Sequence, residues 1–426
     1  MKTTTKYIKV SSYEAKLGEV KKVLLLYSGG LDTSVMLKWI QDNYKANVIT
    51  LTLDIGQQKD DLPAIQKKAL NFGALEAIVA DCKDEFAEDF ISWGIKANAS
   101  YQGEYHLSTP IGRAVIAQKA VGYAKKMGCD AIAHGCTGKG NDQVRLDGYI
   151  LSLNPKMKII APVREWAMDR NEEIKYAIKN GIPVPASIDF PYSVDDNMWG
   201  MTWEGGEVED FSKIPLIEKF LTTYTLAKNA PDEEELMKLD FREGLPIGIN
   251  GEKMKLASLI LKLNMIAGKH GVGVVHMYED RLVGVKDRGV YELPAAQVII
   301  SAHQVLERYV STRVLNEQKA QMDLKWAYLC YGALWFDPVM KAINAFNQEV
   351  NKRVTGEVTV KLYKGQATVV AVKSKFGLGY ASFNNDVGVN FNTNCSAGFI
   401  EIYTLQMKLW NQMKEKLVNS DNNDIK

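Results

Sequence analysis

The chain has few cysteines, almost no net charge and no long apolar run. Its five cysteines form no CxxC pair: Cys82, Cys129, Cys136, Cys330 and Cys395. They are too few for a disulfide framework, so we expect reduced, buried thiols in a cytoplasmic protein. A catalytic thiol at Cys136, beside a glycine-rich loop, is the one alternative. The net charge of +1 gives no footprint for nucleic acid, and the lack of a run of about 18 apolar residues predicts no membrane span.

The N-terminal stretch lacks the marks of a targeting segment. Residues 1–20 contain no arginine and no apolar core, and they include Glu14 and Glu19. They therefore resemble neither a signal peptide nor a transit peptide. With 426 residues, 46% of them hydrophobic and 24% charged, the chain is expected to fold as a soluble protein of two domains.

The first half alternates short apolar runs with helical patterns. The runs are Val23–Tyr27, Asn47–Gly56, Glu76–Asp81, Cys129–Gly135 and Lys158–Val163. Continuous β-branched runs separated by helices are typical of a parallel sheet covered on both faces. We therefore predict a doubly wound α/β domain.

The pattern changes after a stretch rich in proline, 180–193. Beyond it, two hairpin-like segments and long helical patterns from Ala295 onwards predict an α+β domain. The predicted divisions are an extension at 1–20, a first domain at 21–190, a second at 191–396 and a C-terminal helix with a polar tail at 397–426.

The C-terminal pattern from Phe399 to Leu417 predicts one helix with an apolar stripe. The stripe comprises Ile402, Leu405, Leu409, Met413 and Leu417. It would pack either on its own domain or on another subunit, and the polar tail that follows so soon favours another subunit.

A phosphate-binding turn follows the first strand. The segment "YSGGLDTS", Tyr27–Ser34, joins a strand to a helix, so its backbone N–H groups and the helix dipole favour an anion. Gly29 and Gly30 let the backbone approach that anion closely. The chain has no GxxxxGK[ST] motif and no GxGxxG after this strand, which excludes a P-loop and a dinucleotide fold.

This segment resembles the pyrophosphate loop of the N-type ATP pyrophosphatases, which cleave ATP between its α and β phosphates. The resemblance implies that the loop holds pyrophosphate as a leaving group, so no lysine is needed to activate a γ-phosphate. Asp32 would act either through Mg²⁺ or as a helix cap.

A second loop, "HGCTGKGNDQVR" at His134–Arg145, follows the fourth run. In an open α/β sheet, ligands bind at the carboxyl ends of the strands, where both loops are expected. Its three glycines and many polar side chains favour a binding loop over a solvated one. His134 itself is expected to be a strand-end histidine with satisfied partners rather than a base.

Four segments in order resemble the argininosuccinate synthase family: the second loop, "APVRE" (Ala161–Glu165), "YSVDDNMWG" (Tyr192–Gly200) and "GVKDRGVYELPA" (Gly284–Ala295). The resemblance covers nearly the whole chain. It implies that the ureido oxygen of citrulline attacks the α-phosphorus of MgATP and that aspartate then displaces AMP. It also implies a nucleotide-binding first domain, a synthetase and multimerisation second domain, and a homotetramer.

The resemblance also implies the site residues. The ATP set is Leu26, Tyr27, Ser28, Gly29, Gly30, Leu31, Asp32, Thr33, Ser34, Leu53 and Gly135. The citrulline set is Tyr105, Thr109, Asn141, Arg145, Ser193, Thr202, Glu279 and Tyr291, and the aspartate set is Thr137, Asn141 and Asp142. Asp32, Asp142 and Arg145 are the expected catalytic residues. Arg145 suits a carboxylate and Glu279 suits an ammonium group.

Some positions depart from the family pattern. Pro110 stands where other members have a small or hydroxyl residue that contacts citrulline, so the contact must come from Thr109 or be lost. The alternatives that remain are another pyrophosphatase-loop enzyme, such as a tRNA thiolation enzyme or an amide-forming synthetase, and a nucleotide-binding sensor. The proton acceptor for the aspartate amine is either Asp142 or the bound pyrophosphate.

Overall fold

The computed structural model describes residues 7–58, 61–166, 168–184, 192–379, 392 and 394–421. Contacts divide the chain into two compact units, Met1–Gly377 and Leu378–Lys426. The predicted domain ranges, with a division at residue 190, stay predictions.

The first unit begins with a parallel sheet. Its strands are β1 (Lys22–Leu26), β2 (Asn47–Asp54), β3 (Glu76–Asp81), β4 (Ala131–Ala133) and β5 (Lys158–Ile160), in the order β3-β2-β1-β4-β5. The α-helices of this region are α1 (Leu31–Tyr44), α2 (Leu62–Asn71), α3 (Lys83–Glu85), α4 (Ser92–Lys96), α5 (Ser108–Met127), α6 (Asn141–Leu153), α7 (Pro162–Glu165) and α8 (Arg170–Lys179). A π-helical stretch, Phe86–Ile91, joins α3 to α4.

Both faces of this sheet are buried. Val23 and Leu25 of β1 belong to the core cluster that contains Val35 of α1, whereas Leu24 belongs to the cluster that contains Ala114 of α5. Alternate residues of a strand point to opposite faces, so a strand covered on both sides must be apolar throughout. The predicted doubly wound α/β fold is confirmed.

Two predicted strands are longer than the observed ones. The run Cys129–Gly135 contributes only Ala131–Ala133 to β4. The run Lys158–Val163 ends as a strand at Ile160 because Pro162 begins α7, and proline favours the first turn of a helix.

Two antiparallel sheets complete the first unit. One contains β6 (Ser193–Asn197), β7 (Gly200–Glu204), β11 (Val274–Asp280) and β12 (Lys286–Glu292), in the order β11-β12-β7-β6. The other contains β8 (Glu235–Arg242), β9 (Leu245–Ile249), β10 (Glu252–Lys253), β13 (Gly356–Tyr363) and β14 (Gln366–Lys373), in the order β10-β9-β8-β13-β14. The helices are α9 (Leu256–Lys269), α10 (Pro294–Val310), α11 (Arg313–Tyr331) and α12 (Pro338–Asn351), with short 3₁₀ turns at Gly206–Val208, Ile217–Lys219 and Ala227–Asn229. Both predicted hairpins are present, as β11–β12 and β13–β14.

The C-terminal unit differs from the single helix predicted for Phe399–Leu417. Two helices, Cys395–Tyr403 and Leu405–Asp421, meet at Thr404. The Thr404 hydroxyl donates to the carbonyl oxygen of Ile400 at 2.7 Å, and such back-bonding often bends a helix. The predicted stripe is therefore divided between two helices.

The described helices include none long and apolar enough to cross a membrane.

The N-terminal segment, residues 7–20, closes the β5 edge of the parallel sheet. Glu14 forms a parallel bridge with Ile159, and the amide of Ala15 donates to the Ile159 carbonyl at 3.0 Å. The Glu14 carboxylate is buried and accepts the amides of Val10 and Ser11 at 3.0 and 2.9 Å as well as the Tyr7 hydroxyl. Covering an edge strand satisfies its free backbone groups and blocks pairing with other chains.

We predict that Glu14→Ala lowers the free energy of unfolding by about 1–3 kcal/mol, because it removes the buried carboxylate that accepts three hydrogen bonds of this segment. Glu19→Ala is the control, since it removes a partly exposed ion pair with Lys158 at 3.0 Å and is expected to cost less than about 1 kcal/mol. Urea unfolding measures both changes. Equal losses would contradict the buried role of Glu14.

Candidate active site

The loop after β1 is held by its own side chains. Gly29 has a φ of +77°, and a Cβ there would lie 2.6 Å from Cγ1 of Ile65, so this position requires glycine. The Ser34 hydroxyl donates to the Gly30 carbonyl at 2.7 Å and lies 2.9 Å from the Tyr27 hydroxyl. No side chain caps α1 at Gly30, which leaves the first N–H groups of the helix for an anion.

Two cations contact this loop, although the sequence provides no P-loop lysine. Nζ of Lys68 donates to the Gly29 carbonyl at 2.7 Å. The Arg170 guanidinium lies 2.5 Å from Asp32 and 2.9 Å from Glu173. Both cations are thus engaged by groups of the protein. Burial, with the charge of Asp32 as the next cause, raises the pKa of Glu173 to about 7.

The loop after β4 rests on a buried polar network. Nε2 of His134 lies 2.6 Å from Asp147, and its Nδ1 accepts the amide of Cys136 at 3.2 Å. Arg164 and Tyr13 donate to the same carboxylate at 2.9 and 3.2 Å. Burial raises the pKa of Asp147, but His134 and Arg164 outweigh it and hold the pKa below its ordinary value. The expectation that His134 is a strand-end histidine with hydrogen-bond partners is confirmed.

Three polar residues lie on the first turns of α6: Asn141, Asp142 and Arg145. They are joined by hydrogen bonds to Tyr331 or to one another. The Asn141 amide donates to the Tyr331 hydroxyl at 2.8 Å and accepts the amide of Leu282 at 2.8 Å. Arg145, four residues later on the same helix face, donates to the Tyr331 carbonyl at 3.2 Å. It also donates to Asp142 at 3.0 Å.

A second wall of the same region, formed by Tyr105, Thr109, Glu279 and Tyr291, contains polar atoms without hydrogen-bond partners. The rings of Tyr105 and Tyr291 stack with centroids 4.3 Å apart, and the Tyr105 hydroxyl accepts the amide of Thr109 at 2.9 Å. The Thr109 hydroxyl and Oε2 of Glu279 are buried without a hydrogen-bond partner. Burial raises the pKa of Glu279 despite the nearby charge of Arg145. Buried polar atoms normally have partners, so these two atoms suit a ligand.

These walls enclose a cavity of about 730 Å³. Most of the predicted site residues line it: Leu26, Tyr27, Ser28, Thr33, Leu53, Tyr105, Thr109, Gly135, Thr137, Asn141, Asp142, Arg145, Ser193, Thr202, Glu279 and Tyr291. Gly29, Gly30, Leu31, Asp32 and Ser34 belong to the loop and its helix but lie outside the lining. Leu31 and Ser34 are buried, and the Asp32 side chain is 59% exposed.

The sequence of this chain matches two family models in succession. The first, described as "Arginosuccinate synthase N-terminal HUP domain", covers residues 22–183. The second, described as "Arginosuccinate synthase C-terminal domain", covers residues 192–410. The chain belongs to the argininosuccinate synthase family.

Similar proteins extend along almost the whole chain. Argininosuccinate synthase of Brevibacillus brevis is 47% identical over 405 residues, which are 94% of this chain and 96% of that protein. Argininosuccinate synthase of Pyrococcus furiosus is 48% identical over 394 residues, which are 91% and 94% of the two chains. A solved structure of the U34-tRNA thiolase NcsA from Methanococcus maripaludis is 18% identical and covers 40% of this chain and 60% of that chain, with a TM-score of 0.27, too low to support an argument.

Other cavity residues were not found by the sequence analysis. They are Arg113 of α5, Tyr331 of α11, and the ion pair of Glu204 and Arg281. Arg281 also pairs with Asp287, which lies outside the lining. Arg113 is a lone charge within the apolar stretch Ile111–Ala117, which is a usable signal. Tyr331 ends a long amphipathic helix and carries no local signal, because its partners are 186 and 190 residues away.

Three carboxylates have the spacing of a metal site, but an arginine pairs with two of them. Oxygens of Glu204, Glu279 and Asp287 lie within 4.8 Å of one another. Arg281 forms ion pairs with Glu204 at 2.9 Å and with Asp287. Burial is the largest cause that raises the pKa of Glu204, to about 8. Arg281 thus already neutralises charge on two of the three carboxylates.

We predict that Glu173→Gln raises the melting temperature more at pH 8 than at pH 5. A carboxyl with a raised pKa holds its proton more tightly in the folded state, so wild-type stability falls as the pH rises from about 4.5 to about 7. The glutamine removes that loss. Thermal unfolding at the two pH values measures the difference.

Glu172→Gln, at the neighbouring position in the capping box of α8, is the control for a lost negative charge. An equal gain for Glu173→Gln at pH 5 and pH 8 would contradict the prediction.

Proposed function

We propose that this chain is an enzyme that joins citrulline and aspartate to form argininosuccinate, with ATP converted to AMP and pyrophosphate. One observation carries the proposal: residues from both matched halves of the family line one cavity. This reaction is a step of arginine biosynthesis. Its two amino-acid substrates carry charges of both signs, which the cavity matches with arginines and carboxylates.

In the first step, the ureido oxygen of citrulline bonds to the α-phosphorus of ATP and the bond to the β-phosphate oxygen breaks. The N–H groups at the start of α1 and the hydroxyls of Ser28 and Thr33 suit the departing pyrophosphate. Carboxylate oxygens are ligands that Mg²⁺ prefers, so Asp32 would hold Mg²⁺ together with phosphate oxygens. The ion would neutralise charge on the leaving group.

The residues expected to bind citrulline offer one group for each end of an amino acid. Oε2 of Glu279, which has no partner, suits the ammonium group. Arg145 suits the carboxylate because its planar guanidinium donates in parallel pairs. The free hydroxyl of Thr109 supplies the contact that Pro110 cannot make.

In the second step, the aspartate amine attacks the ureido carbon and displaces AMP. Thr137, Asn141 and Asp142 stand at the cavity wall for this substrate. Burial raises the pKa of Asp142, but Arg113 and Arg145 outweigh it, so the pKa lies below its ordinary value. A carboxylate of that kind binds an ammonium group well and is a weak base near neutral pH. Asp142 therefore orients the amine.

The alternatives fit less well. A tRNA thiolation enzyme needs paired reactive cysteines or a sulfur carrier, and the five cysteines form no CxxC pair. A sensor without turnover would have lost part of the substrate set, whereas Ser28, Asn141 and Arg145 all line the cavity. We place the enzyme in the cytoplasm. Its partners are small-molecule substrates, and it binds neither nucleic acid nor a membrane.

The test is turnover of [α-³²P]ATP with Mg²⁺, citrulline and aspartate, with each amino acid omitted in turn. We expect AMP, pyrophosphate and argininosuccinate in quantity only with both amino acids. Release of ADP would contradict attack at the α-phosphorus. AMP formed with another acceptor would contradict the substrate assignment.

We further propose that the chain is a homotetramer assembled through its C-terminal helices. Ile402, Leu405 and Leu409 are 77%, 50% and 46% exposed, and Trp410 and Met413 are 76% and 51% exposed. A contiguous apolar surface of this kind on one unit is typical of a protein interface. Closed symmetry with equivalent contacts is the common form of such assemblies.

Light scattering of the wild type should therefore give about 190 kDa, four times 47.6 kDa. Leu409→Asp places a charge in the interface and is expected to give smaller species. Asn411→Asp is the matched control, because it adds the same charge about 200° around the helix. A wild-type monomer at micromolar concentration would rule out the tetramer.

A further inference from the structure

Arg113 lies where three elements of the cavity meet. Its Nε and one terminal nitrogen donate to the same oxygen of Asp142 at 2.9 and 2.6 Å. That terminal nitrogen also lies 2.5 Å from Asp195. Arg113 is on α5, Asp142 on α6 and Asp195 on β6, so one guanidinium ties two helices to a strand of the antiparallel sheet.

The contacts occupy both oxygens of Asp142. Arg113 takes one oxygen and Arg145 takes the other, at 3.0 Å. The Asp142 side chain is 25% exposed, so it still reaches the cavity, but its rotation is fixed from two sides. A carboxylate held by two guanidiniums keeps its orientation and its charge.

We propose that Arg113 is a positioning residue for the aspartate step, which acts by fixing Asp142 toward the aspartate ammonium group. The inference rests on the proposed function and adds a residue that the sequence analysis did not find. The hydrogen bonds described for the Arg113 side chain go to Asp142 and Asp195, and none of them goes to the loop after β1 or to Glu279. Adenylation of citrulline should therefore need it much less than the attack by aspartate.

A purely structural role predicts something different. Arg113 would then be a cross-link whose loss lowers stability and weakens every substrate alike. Arg288 provides the comparison, because it is 2% exposed and donates to the carbonyls of Val208, Glu207 and Lys213. It carries the same charge and is even more buried than Arg113, but it lies outside the cavity lining.

The experiment compares Arg113→Gln, Arg113→Lys and Arg288→Gln in the full-length protein. Exchange of labelled pyrophosphate into ATP with citrulline alone reports the first step, and the complete reaction gives KM and kcat for aspartate. Wild-type synthesis of argininosuccinate is measured first, so a failure of the proposed function is recognised separately.

For Arg113→Gln we expect KM for aspartate to rise about 10- to 100-fold, as for the loss of a bond between charged groups. Pyrophosphate exchange and KM for citrulline should stay within about threefold of wild type, because Arg145 keeps its bonds to Asp142 and to the Tyr331 carbonyl. Arg113→Lys keeps the charge but not the paired geometry, so it should be intermediate.

The pH profile distinguishes a positioning role of Arg113 from a purely structural one. Without Arg113, Asp142 binds its proton more tightly, so the acid limb of kcat/KM for aspartate should move to higher pH. Arg288→Gln should lower the melting temperature and leave this limb in place. Equal losses in exchange and in aspartate turnover, or an unmoved acid limb in Arg113→Gln, would overturn the proposal.

Discussion

The order of the parallel strands is the constraint on which the rest of the structure depends. Because β1 and β4 are neighbours whose connections leave in opposite directions, the loops after them leave a crevice between them. The loops after β1 and β4 come together there even though about 100 residues separate them along the chain. The four-stranded antiparallel sheet then forms the far wall, and all three surfaces face one cavity.

Ion pairs between arginines and carboxylates are the second feature on which this site depends. Each arginine of the cavity contacts at least one carboxylate: Arg113 and Arg145 share Asp142, and Arg281 holds Glu204 and Asp287. An unpaired buried charge is costly, so this arrangement lets a polar cavity exist inside the fold. Glu279 differs, since its Oε2 keeps no hydrogen-bond partner and is free for a ligand.

Local signals predicted part of this site. Continuous apolar runs located the parallel strands, and the glycine loops marked the ends of β1 and β4, because turn chemistry is encoded by adjacent residues. Tyr331 escaped prediction because its partners come from another element. Arg113 stands out as a lone charge in an apolar stretch, but its partners come from other elements and have no signal near it in the sequence. The break between the two helices at Thr404 was missed because a hydroxyl that bonds back to the preceding turn leaves the apolar period unchanged.

The absence of a P-loop lysine bears on which group accepts the proton of the aspartate amine. The cations nearest the first loop, Lys68 and Arg170, are bound to the Gly29 carbonyl and to Asp32. We infer that the N–H groups of this loop, together with the proposed Mg²⁺ ion, stabilise the pyrophosphate without a lysine. Because Asp142 is held ionised by two arginines, the bound pyrophosphate is the better acceptor for the proton that the aspartate amine must lose.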